Sequence, residues 1–347
     1  MWHKFARHRF GVLGGICFLV ILIFVLFPEF TAPYDLNRQT SHINAPPQLP
    51  RFIDDEGRFH FIPFVYGRTM EMFPETGEVK WTKTSEKHPI RLFVKGEPYQ
   101  FLFIDSNIHL FGAEDGYVFL LGTDNLGRDL FTRILYGGRI SLAVATFTAF
   151  VSVILGVSAG LVSGYLGGTV DLFLQRVVEF FLIIPAIPLA LALAGFLPPD
   201  LSPILILFGL ALILSIRRWA SMARQIRGKA LGVREEEFVL AAMSVGASTG
   251  RILYKHILPP IYSHIIVIAT LTLPSAMIME AGLSFLGFGI RPPMTSWGLL
   301  LKQAQSLRVI ELWPWRLMPG IAITITVLSL NFVGDAIRDL ADPYSQE

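Results

Sequence analysis

Cysteine and charged residues are both scarce in this sequence. Cys17 is the one cysteine among 347 residues, so no disulfide can form within the chain. Charged residues make up 16% of the chain against 52% hydrophobic residues, and the net charge is only +2. A soluble core of this size does not need so much apolar composition, and so small a net charge gives no reason to expect a nucleic-acid partner. The composition predicts a membrane protein.

A phosphate-binding loop is also absent. Gly228 and Lys229 form the only Gly-Lys pair. Ala223 stands where the first glycine of such a loop is required, and Ala230 stands where serine or threonine is required. We therefore expect this chain to bind no ATP itself.

Long runs with few charges are present instead. A helix needs roughly 20 apolar residues to cross a hydrocarbon layer of ~30 Å, and backbone amides in lipid must find partners within their own segment. We predict an all-α membrane protein with six transmembrane helices, near residues 10–28, 140–166, 180–199, 201–216, 257–288 and 317–334.

A basic tail with Lys4, Arg7 and Arg9 precedes the first run and favours a cytoplasmic amino terminus. A cleaved signal peptide is the alternative interpretation. The apolar run is longer than the core of a usual signal peptide, however, and no small-residue cleavage pattern follows Leu26.

Cations beside the spans orient the rest of the chain. Between residues 216 and 259, eight cations outnumber three anions, so this segment is predicted to be cytoplasmic. Six crossings from a cytoplasmic amino terminus place the segment on the same side, and they make the carboxyl-terminal DPYSQE at 342–347 cytoplasmic too. The cations are Arg217, Arg218, Arg224, Arg227, Lys229, Arg234, Arg251 and Lys255.

Residues 29–138 form one polar insertion on the opposite side. Alternating stretches such as RFHFIPFVY and IRLFVKGEPYQFLF predict strands and turns, hence a β-rich extracytoplasmic insertion between helices 1 and 2. It is interpreted either as a cap over the transmembrane core or as a docking surface for an external protein. The predicted organisation is a tail with helix 1 at 1–28, the insertion at 29–138, and a five-helix core at 139–347 whose cytoplasmic coupling loop lies at 217–259.

The cytoplasmic loop has the pattern of two short helices. Glutamates at 235–237 favour the positive end of a helix, and apolar residues follow at a spacing of three to four. Gly246 suits a left-handed helix stop, and Ser248 can cap a second helix. Ala241, Ala242 and Gly246 are small enough for the first helix to enter a cleft of another protein. The alternative is an amphipathic connector that rests on the lipid headgroups.

Glycines recur every fourth residue from the second span onward, at Gly156, Gly160, Gly164 and Gly168. Small residues at this spacing let a second helix approach to backbone contact. We interpret them as a helix-packing seam, with a surface that slides during gating as the alternative.

Prolines and ionisable residues interrupt the later spans. Pro185, Pro188 and Pro274 are predicted to bend their helices. Glu280 and His264 are costly in lipid and should face the protein interior or a water-filled path. Glu280 is interpreted either as a structural hydrogen-bonding group or as part of a translocation pathway, and His264 as a packing residue.

Two other functions are compatible with parts of the sequence. Residues 246–250 read G-x-S-x-G, with Ser248 as the nucleophile and His264 as a possible base of a membrane serine hydrolase. Such a nucleophile requires a strand-to-helix turn, and an intramembrane protease requires its serine at membrane depth. An ion channel, or a scaffold subunit of a secretion complex, is the third possibility.

Four segments resemble the permeases of ABC importers of the dipeptide, oligopeptide and nickel group. The cytoplasmic loop is similar to their EAA motif, in which EAA is followed by Gly and later by I-x-LP. Similar segments lie at 122–142 (GTDNLGRDLFTRILYGGRISL), 164–171 (GYLGGTVD) and 280–293 (EAGLSFLGFGIRPP). Leu240 departs from the family's glutamate, and His256 from its aliphatic residue. The coupling residues that the resemblance implies are Leu240, Ala241, Ala242, Gly246, Ala247, Ser248, Leu258 and Pro259.

The resemblance is strongest to the second, C-type permease of a pair, and it implies a subunit of an ATP-driven importer in a bacterial inner (plasma) membrane. The resemblance also implies that this chain is itself no enzyme and binds no cofactor. Such a subunit forms half of a peptide translocation path and couples ATP hydrolysis by partner subunits to alternating access. The implied partners are a homologous second permease, two ATP-binding subunits that hold ATP and Mg²⁺, an extracytoplasmic solute-binding protein and the lipid bilayer. Nickel, opines and oligosaccharides are the alternative solutes.

Overall fold

The computed structural model describes most of the chain. The predicted cations Lys4 and Arg7, the end of the third predicted span at Pro199, and the carboxyl-terminal segment 342–347 lie outside the described residues. The described ranges are 8–72, 79–101, 103–198 and 200–341.

Within these ranges the protein is mostly helical. Five helices are long and apolar enough to cross a membrane, or six if a bent pair of helices is counted as one span. They are α1 (Arg9–Leu26), α3 (Leu130–Leu166), α6 (Pro203–Arg234), α9 (Leu258–Leu286, with the turns before it) and α12 (Met318–Ala341, with the turn before it), plus the bent pair α4 (Gly168–Ile183) and α5 (Ala186–Gly195). The prediction of a helical membrane protein is confirmed.

Short elements join the long helices. A π-helical turn at Ile252–Ile257 leads into α9, and a 3₁₀ turn at Pro314–Leu317 leads into α12. The short helices are α2 (Pro28–Thr31), α7 (Glu237–Ser244), α8 (Thr249–Arg251), α10 (Trp297–Gln303) and α11 (Leu307–Leu312).

The third predicted span is not one straight helix. α4 and α5 meet at an angle of 87°. The break lies at Ile184 and Pro185, both of which have extended ψ angles, because a proline ring disfavours a helical conformation in the residue before it. Pro188 lies in the first turn of α5, where its missing N–H leaves no helical bond unmade. Pro274 lies inside α9, which continues past it.

The fourth span continues as a helix far into the predicted cytoplasmic loop. α6 has 32 residues and ends only at Arg234, so the predicted end near residue 216 is wrong for the helix. Ser202 caps its start by accepting a hydrogen bond from the Leu205 N–H, and Pro203 occupies the first position. Beyond residue 216, the helix is favoured by residues of good helix propensity and by an apolar stripe along one face. The members of this stripe are fully or almost fully buried: Ala220, Met222, Ala223, Ile226 and Ala230.

Among the described residues, five strands follow α2, in two antiparallel sheets. The first sheet has the order β1 (Arg51–Ile53), β2 (Phe59–Met72), β3 (Val79–Pro89); the second pairs β4 (Arg91–Phe101) with β5 (Ile104–Gly112). The two stretches that alternate in sequence lie in β2 and β4. The predicted β-rich insertion between the first two long helices is therefore confirmed as a small sheet region.

A buried carboxylate begins α3. Oδ2 of Asp129 accepts hydrogen bonds from the Thr132 N–H at 2.8 Å and from the Thr132 hydroxyl at 2.7 Å, in the manner of an N-cap. Burial raises the pKa of Asp129 to about 7. One turn later, the Ile134 carbonyl accepts a hydrogen bond at 2.8 Å from the indole N–H of the buried Trp297, which holds α10 beside the start of α3.

The described chain forms two compact units. One contains the residues up to Leu19, Ser141–Pro293 and the residues from Ile323 onward; the other contains Val20–Ile140 and Met294–Ala322. In the second unit the Trp315 indole N–H donates to the Thr123 carbonyl at 3.3 Å. The segment at 294–322, expected within the five-helix core, thus packs with the residues of the insertion.

Candidate coupling site

The helix α7 has sharply defined ends. Glu235 ends α6, Glu236 is extended, and Glu237 occupies the first turn of α7, where an acid favours the positive end of the helix. At the other end, the Ala247 N–H donates to the Ala242 carbonyl at 3.1 Å and the Gly246 N–H donates to the Met243 carbonyl at 3.0 Å. This Schellman pattern requires a left-handed residue, and Gly246 has φ +75°, as the sequence predicts.

One side of α7 is buried in its own chain. Val239 is fully buried and Ala242 is nearly so. The sequence analysis predicts that Ala242 is one of the small residues that enter a partner. This prediction is wrong for Ala242, which lies three residues after Val239 and therefore faces the inside of its own chain. Val239 belongs to an apolar cluster whose other buried members include Ile226 and Ala230 of α6, Ile252, Leu253 and Ile257 of the π turn, and Ile261 of α9.

The other side of α7 is open. Val245 exposes 84% of its surface, Leu240 49% and Phe238 46%, and Ala241 and Gly246 are exposed between them. We call these five residues the docking surface. Large apolar side chains concentrated on so short a segment are typical of an interaction site.

Ser248 lies between two helices. It is exposed at the N-cap position of α8, where its carbonyl accepts a hydrogen bond from the Ile252 N–H at 3.0 Å and its hydroxyl makes no capping bond. A nucleophile elbow requires a strand before the turn. The G-x-S-x-G sequence therefore does not have hydrolase geometry here.

The π turn at Ile252–Ile257 packs against α7. The Leu258 N–H donates to the Leu253 carbonyl, five residues earlier. Pro259 and Pro260 have no N–H, so the carbonyls four residues before them lose their helical donors, which favours this local rearrangement. Pro259 is exposed, whereas Leu258 and Ala247 pack against the apolar cluster. Ala247 and Leu258 thus help to hold α7 in place, together with Val239.

The glycines of α3 face α6. A Cβ placed on Gly156, Gly160 or Gly164 would lie 2.7 Å from a side-chain atom of α6, so the two backbones are as close as glycine alone permits. Gly168 does not continue this seam. The helix α3 ends at Leu166, and Gly168 begins α4 with φ +55° and open space beside it.

An ion pair that the sequence analysis misses ties α4 to α6. Nε and Nη2 of Arg227 donate to the two carboxylate oxygens of Asp171, each at 2.6 Å, in the bidentate arrangement that makes such pairs strong. The Ser163 hydroxyl also donates to Asp171, and Gln175 Nε2 donates to Ser163 at 2.9 Å. The sequence shows Asp171 as one of two acids in α4, but its partner among the eight cations of the segment at 216–259 follows only from the fold.

Two family models match the sequence. Residues 152–344, more than half of the chain, match the binding-protein-dependent transport system inner membrane component, and residues 1–47 match the N-terminal TM domain of oligopeptide transport permease C. The chain belongs to the binding-protein-dependent transport permeases. The resemblance noted in the four sequence segments is therefore confirmed.

Similar individual proteins are named as permeases too. The dipeptide transport system permease protein of Alkalihalophilus pseudofirmus is 41% identical over 64% of this chain and 71% of its own length. The oligopeptide transport system permease protein of Bacillus subtilis is 39% identical over 64% of this chain and 68% of its own length. The dipeptide transport system permease protein of Lactococcus lactis is 30% identical over 100% of this chain and 90% of its own length.

Permeases of this family are multi-pass membrane subunits of ABC importers without a nucleotide-binding domain. ATP is hydrolysed by partner subunits, and a solute-binding protein and a second permease complete the transporter. The docking surface is therefore on a subunit that must receive its energy from another protein.

Glu280 of the permease is fully buried in α9. Its Oε2 accepts a hydrogen bond from the Ser141 hydroxyl at 2.8 Å, and its Oε1 accepts one from the Ser284 hydroxyl at 2.7 Å. Ser284 in turn accepts from the Ile290 N–H at 3.0 Å. A network of this kind satisfies a buried acid and fixes α9 to α3 and to the loop that follows α9.

Proposed function

We propose that this permease forms half of a translocation path for peptides and transmits ATP-driven movement through α7. The peptide assignment is supported by the similar proteins, which are named as dipeptide and oligopeptide permeases, one of them along the whole of this chain. Nickel, opines and oligosaccharides are the alternative solutes.

The observation that carries the coupling role is the two-sided character of α7. Its inner side is buried at Val239 and Ala242, and Val239 belongs to the same apolar cluster as residues of α6 and α9. Its outer side exposes Phe238, Leu240 and Val245. A partner that binds the docking surface therefore acts on a helix that is already fixed to two long helices.

Movement of α7 would be passed on by rigid packing. α6 is continuous from Pro203 to Arg234, is held to α3 by the glycine seam, and is held to α4 by the pair of Asp171 with Arg227. When two ATP-binding subunits close below the membrane, they displace the α7 of each permease. The helices attached to α7 then move together, which changes the side from which the path is open.

The proposed topology has six crossings, with α4 and α5 counted as one broken span. Both termini and the segment around α7 then lie in the cytoplasm, because this segment carries eight cations against three anions. The two sheets lie outside. A solute-binding protein delivers the solute on that side, and its specificity sets much of the selectivity.

The test is a substitution that prevents close approach at α7. Gly246→Arg places a long, charged side chain in the docking surface, and we expect an inserted protein that copurifies poorly with its ATPase subunits and gives no ATP-dependent uptake of tri-alanine in proteoliposomes. Gly246→Ala is the control for backbone strain at φ +75°, since it shares the strain but not the bulk. Gly228→Arg is the control for added charge, because Gly228 is exposed in α6 and an added Cβ there would have no other atom within 4 Å.

Uptake by the Gly246→Arg variant at the wild-type rate would contradict the coupling role. Uptake of nickel or an oligosaccharide, but not of tri-alanine, by the wild-type transporter would contradict the peptide assignment and leave the coupling role standing.

A further inference from the structure

A polar cavity lies among α5, α6 and α9, within one of the two compact units. Its volume is about 200 Å³, the share of roughly seven water molecules in the liquid. The aliphatic part of the lining comes from all three helices. The polar part comes from Arg217, Arg218, Ser221, Gln225 and Thr272.

The two arginines lie near the cytoplasmic end of the proposed crossing of α6, at the start of the segment whose cations orient the chain. Arg217 is about 20 Å along α6 from Pro203, which is less than the ~30 Å thickness of a hydrocarbon layer, so a guanidinium here is costly unless it faces a water-filled path or an anion. The cavity is the place where both arginines meet that requirement.

Neither arginine is neutralised inside the described part of the chain. Arg218 Nη1 donates to the Ser275 hydroxyl, a neutral acceptor, and Nε of Arg217 is buried without a hydrogen-bond partner among the described residues. The ion pairs of the described residues include neither arginine. Two adjacent cations without a carboxylate repel each other and favour any anion that enters the cavity.

The chemistry of the donors selects among anions and solutes. Guanidinium groups present planar, paired N–H donors that match the two oxygens of a carboxylate. Divalent nickel is repelled by two cations, and a neutral sugar gains hydrogen bonds from them but no charge attraction. Every linear peptide with a free carboxyl end carries a suitable group, together with an amide backbone that Gln225 and Thr272 can bond.

We propose that Arg217 and Arg218 bind the terminal carboxylate of a peptide as it passes through the permease. This inference rests on the proposed function, because it requires peptides to be the solute. It makes the cavity an internal, charge-selective binding site that is distinct from the external solute-binding protein.

The experiment uses a cysteine in the cavity as the reporter. Thr272→Cys is made in a Cys17→Ser background, and the whole transporter, without its solute-binding protein, is placed in nanodiscs of phosphatidylcholine. The rates at which an anionic and a cationic methanethiosulfonate reagent modify residue 272 are measured by mass spectrometry of this chain. The anionic reagent should react about tenfold faster, since a positive cavity concentrates anions. Ser221→Cys serves as a second reporter.

Three sets of variants identify the source of this preference. Changing both Arg217 and Arg218 to Gln should abolish it, whereas changing both to Lys, which keeps the charge, should retain most of it. Arg224→Gln is the matched control, because Arg224 lies on the same helix, is exposed and does not line the cavity. A preference that persists without both arginines would overturn the proposal.

Competition then identifies the ligand. Tri-alanine should slow the modification, and tri-alanine amide, which lacks the carboxylate, should slow it much less. Equal protection by both peptides, or by neither, overturns the proposal. Loss of the reaction in nanodiscs of phosphatidylglycerol, with no effect of tri-alanine, would show that the cavity holds a lipid headgroup instead. ATP-dependent uptake of tri-alanine by the same transporter, with its solute-binding protein restored, tests the proposed function separately.

Discussion

Leu240 is the residue at which docking through apolar burial can be measured. It exposes 49% of its surface, and full burial of a leucine contributes roughly 1.5 to 3 kcal/mol. Covering the exposed half by a partner should therefore contribute about 0.7 to 1.5 kcal/mol, or about 3- to 12-fold in Kd. Leu240→Glu loses this contribution and buries a carboxylate at the contact, so the ATPase subunit should bind at least that much more weakly.

The assay is the Kd between the permease in nanodiscs and the purified ATPase subunit. Leu240→Met keeps the volume and the apolar character, so it should change the Kd little. Measurements at low and at high salt separate two kinds of contact, because salt screens exposed charges but not apolar burial. An exposed ion pair would contribute only ~0 to 1 kcal/mol in any case.

Two results would refute docking through Leu240. Binding that collapses when salt is raised would show that the cations around α7 hold the ATPase. Binding that becomes tighter in the Leu240→Glu variant would show that the partner presents a cation to this position, as the glutamate of similar permeases suggests.

Three further predictions concern topology, packing and pH. In a variant without the native cysteine, Ser85→Cys should react with a membrane-impermeant thiol reagent in intact cells and Ser248→Cys should not; the reverse pattern would invert the topology. Gly160→Leu should lower the melting temperature by the equivalent of about 1 to 3 kcal/mol of overpacking, whereas Gly232→Leu, where no atom lies within 4 Å of an added Cβ, should not. The folded pKa of Asp129, about 7, lies above its ordinary value of 3.8, so the stability from its protonation should be lost as pH rises through 7. Asp129→Asn should flatten this part of the curve of melting temperature against pH, and an unchanged slope would argue against the raised pKa.

The residues next to α7 in the sequence predict where this helix begins and ends. The acids before it and the left-handed stop at Gly246 are properties of neighbouring residues, and the structure has both. The sequence alone does not show that Ala242 faces the inside of the chain. Its direction depends on which face of a short helix meets α6, and this is decided by the cluster around Val239, whose members are spread over five elements.

The long helices, too, have features that the sequence predicts and features that it does not. Hydropathy locates the apolar runs, because a hydrocarbon layer imposes a minimum length on any crossing segment. It does not locate the end of α6, since a helix stabilised by packing can continue where the charges begin. Hydropathy also does not show that α4 and α5, the helices before and after Pro185, meet at 87° instead of forming one slightly bent helix.

Long-range pairs are the least predictable part of the candidate site. Asp171 and Arg227 are far apart in sequence, and so are Arg218 and Ser275. Eight cations are available to Asp171 in the sequence alone, and geometry selects one. The glycine spacing indicates a close approach of helices, but not that α6 is the neighbour.

The continuity of α6 has a consequence for genetics. At 32 residues this helix is about 48 Å long, and it contains both Arg217 and the residues on which α7 rests. A change that weakens ATPase docking should therefore be correctable by second-site changes one or two helical turns apart along α6, far from the damaged contact. Selection for restored growth on a peptide as the sole source of a required amino acid should return such suppressors in a stripe along one helix, instead of a scatter over the sequence.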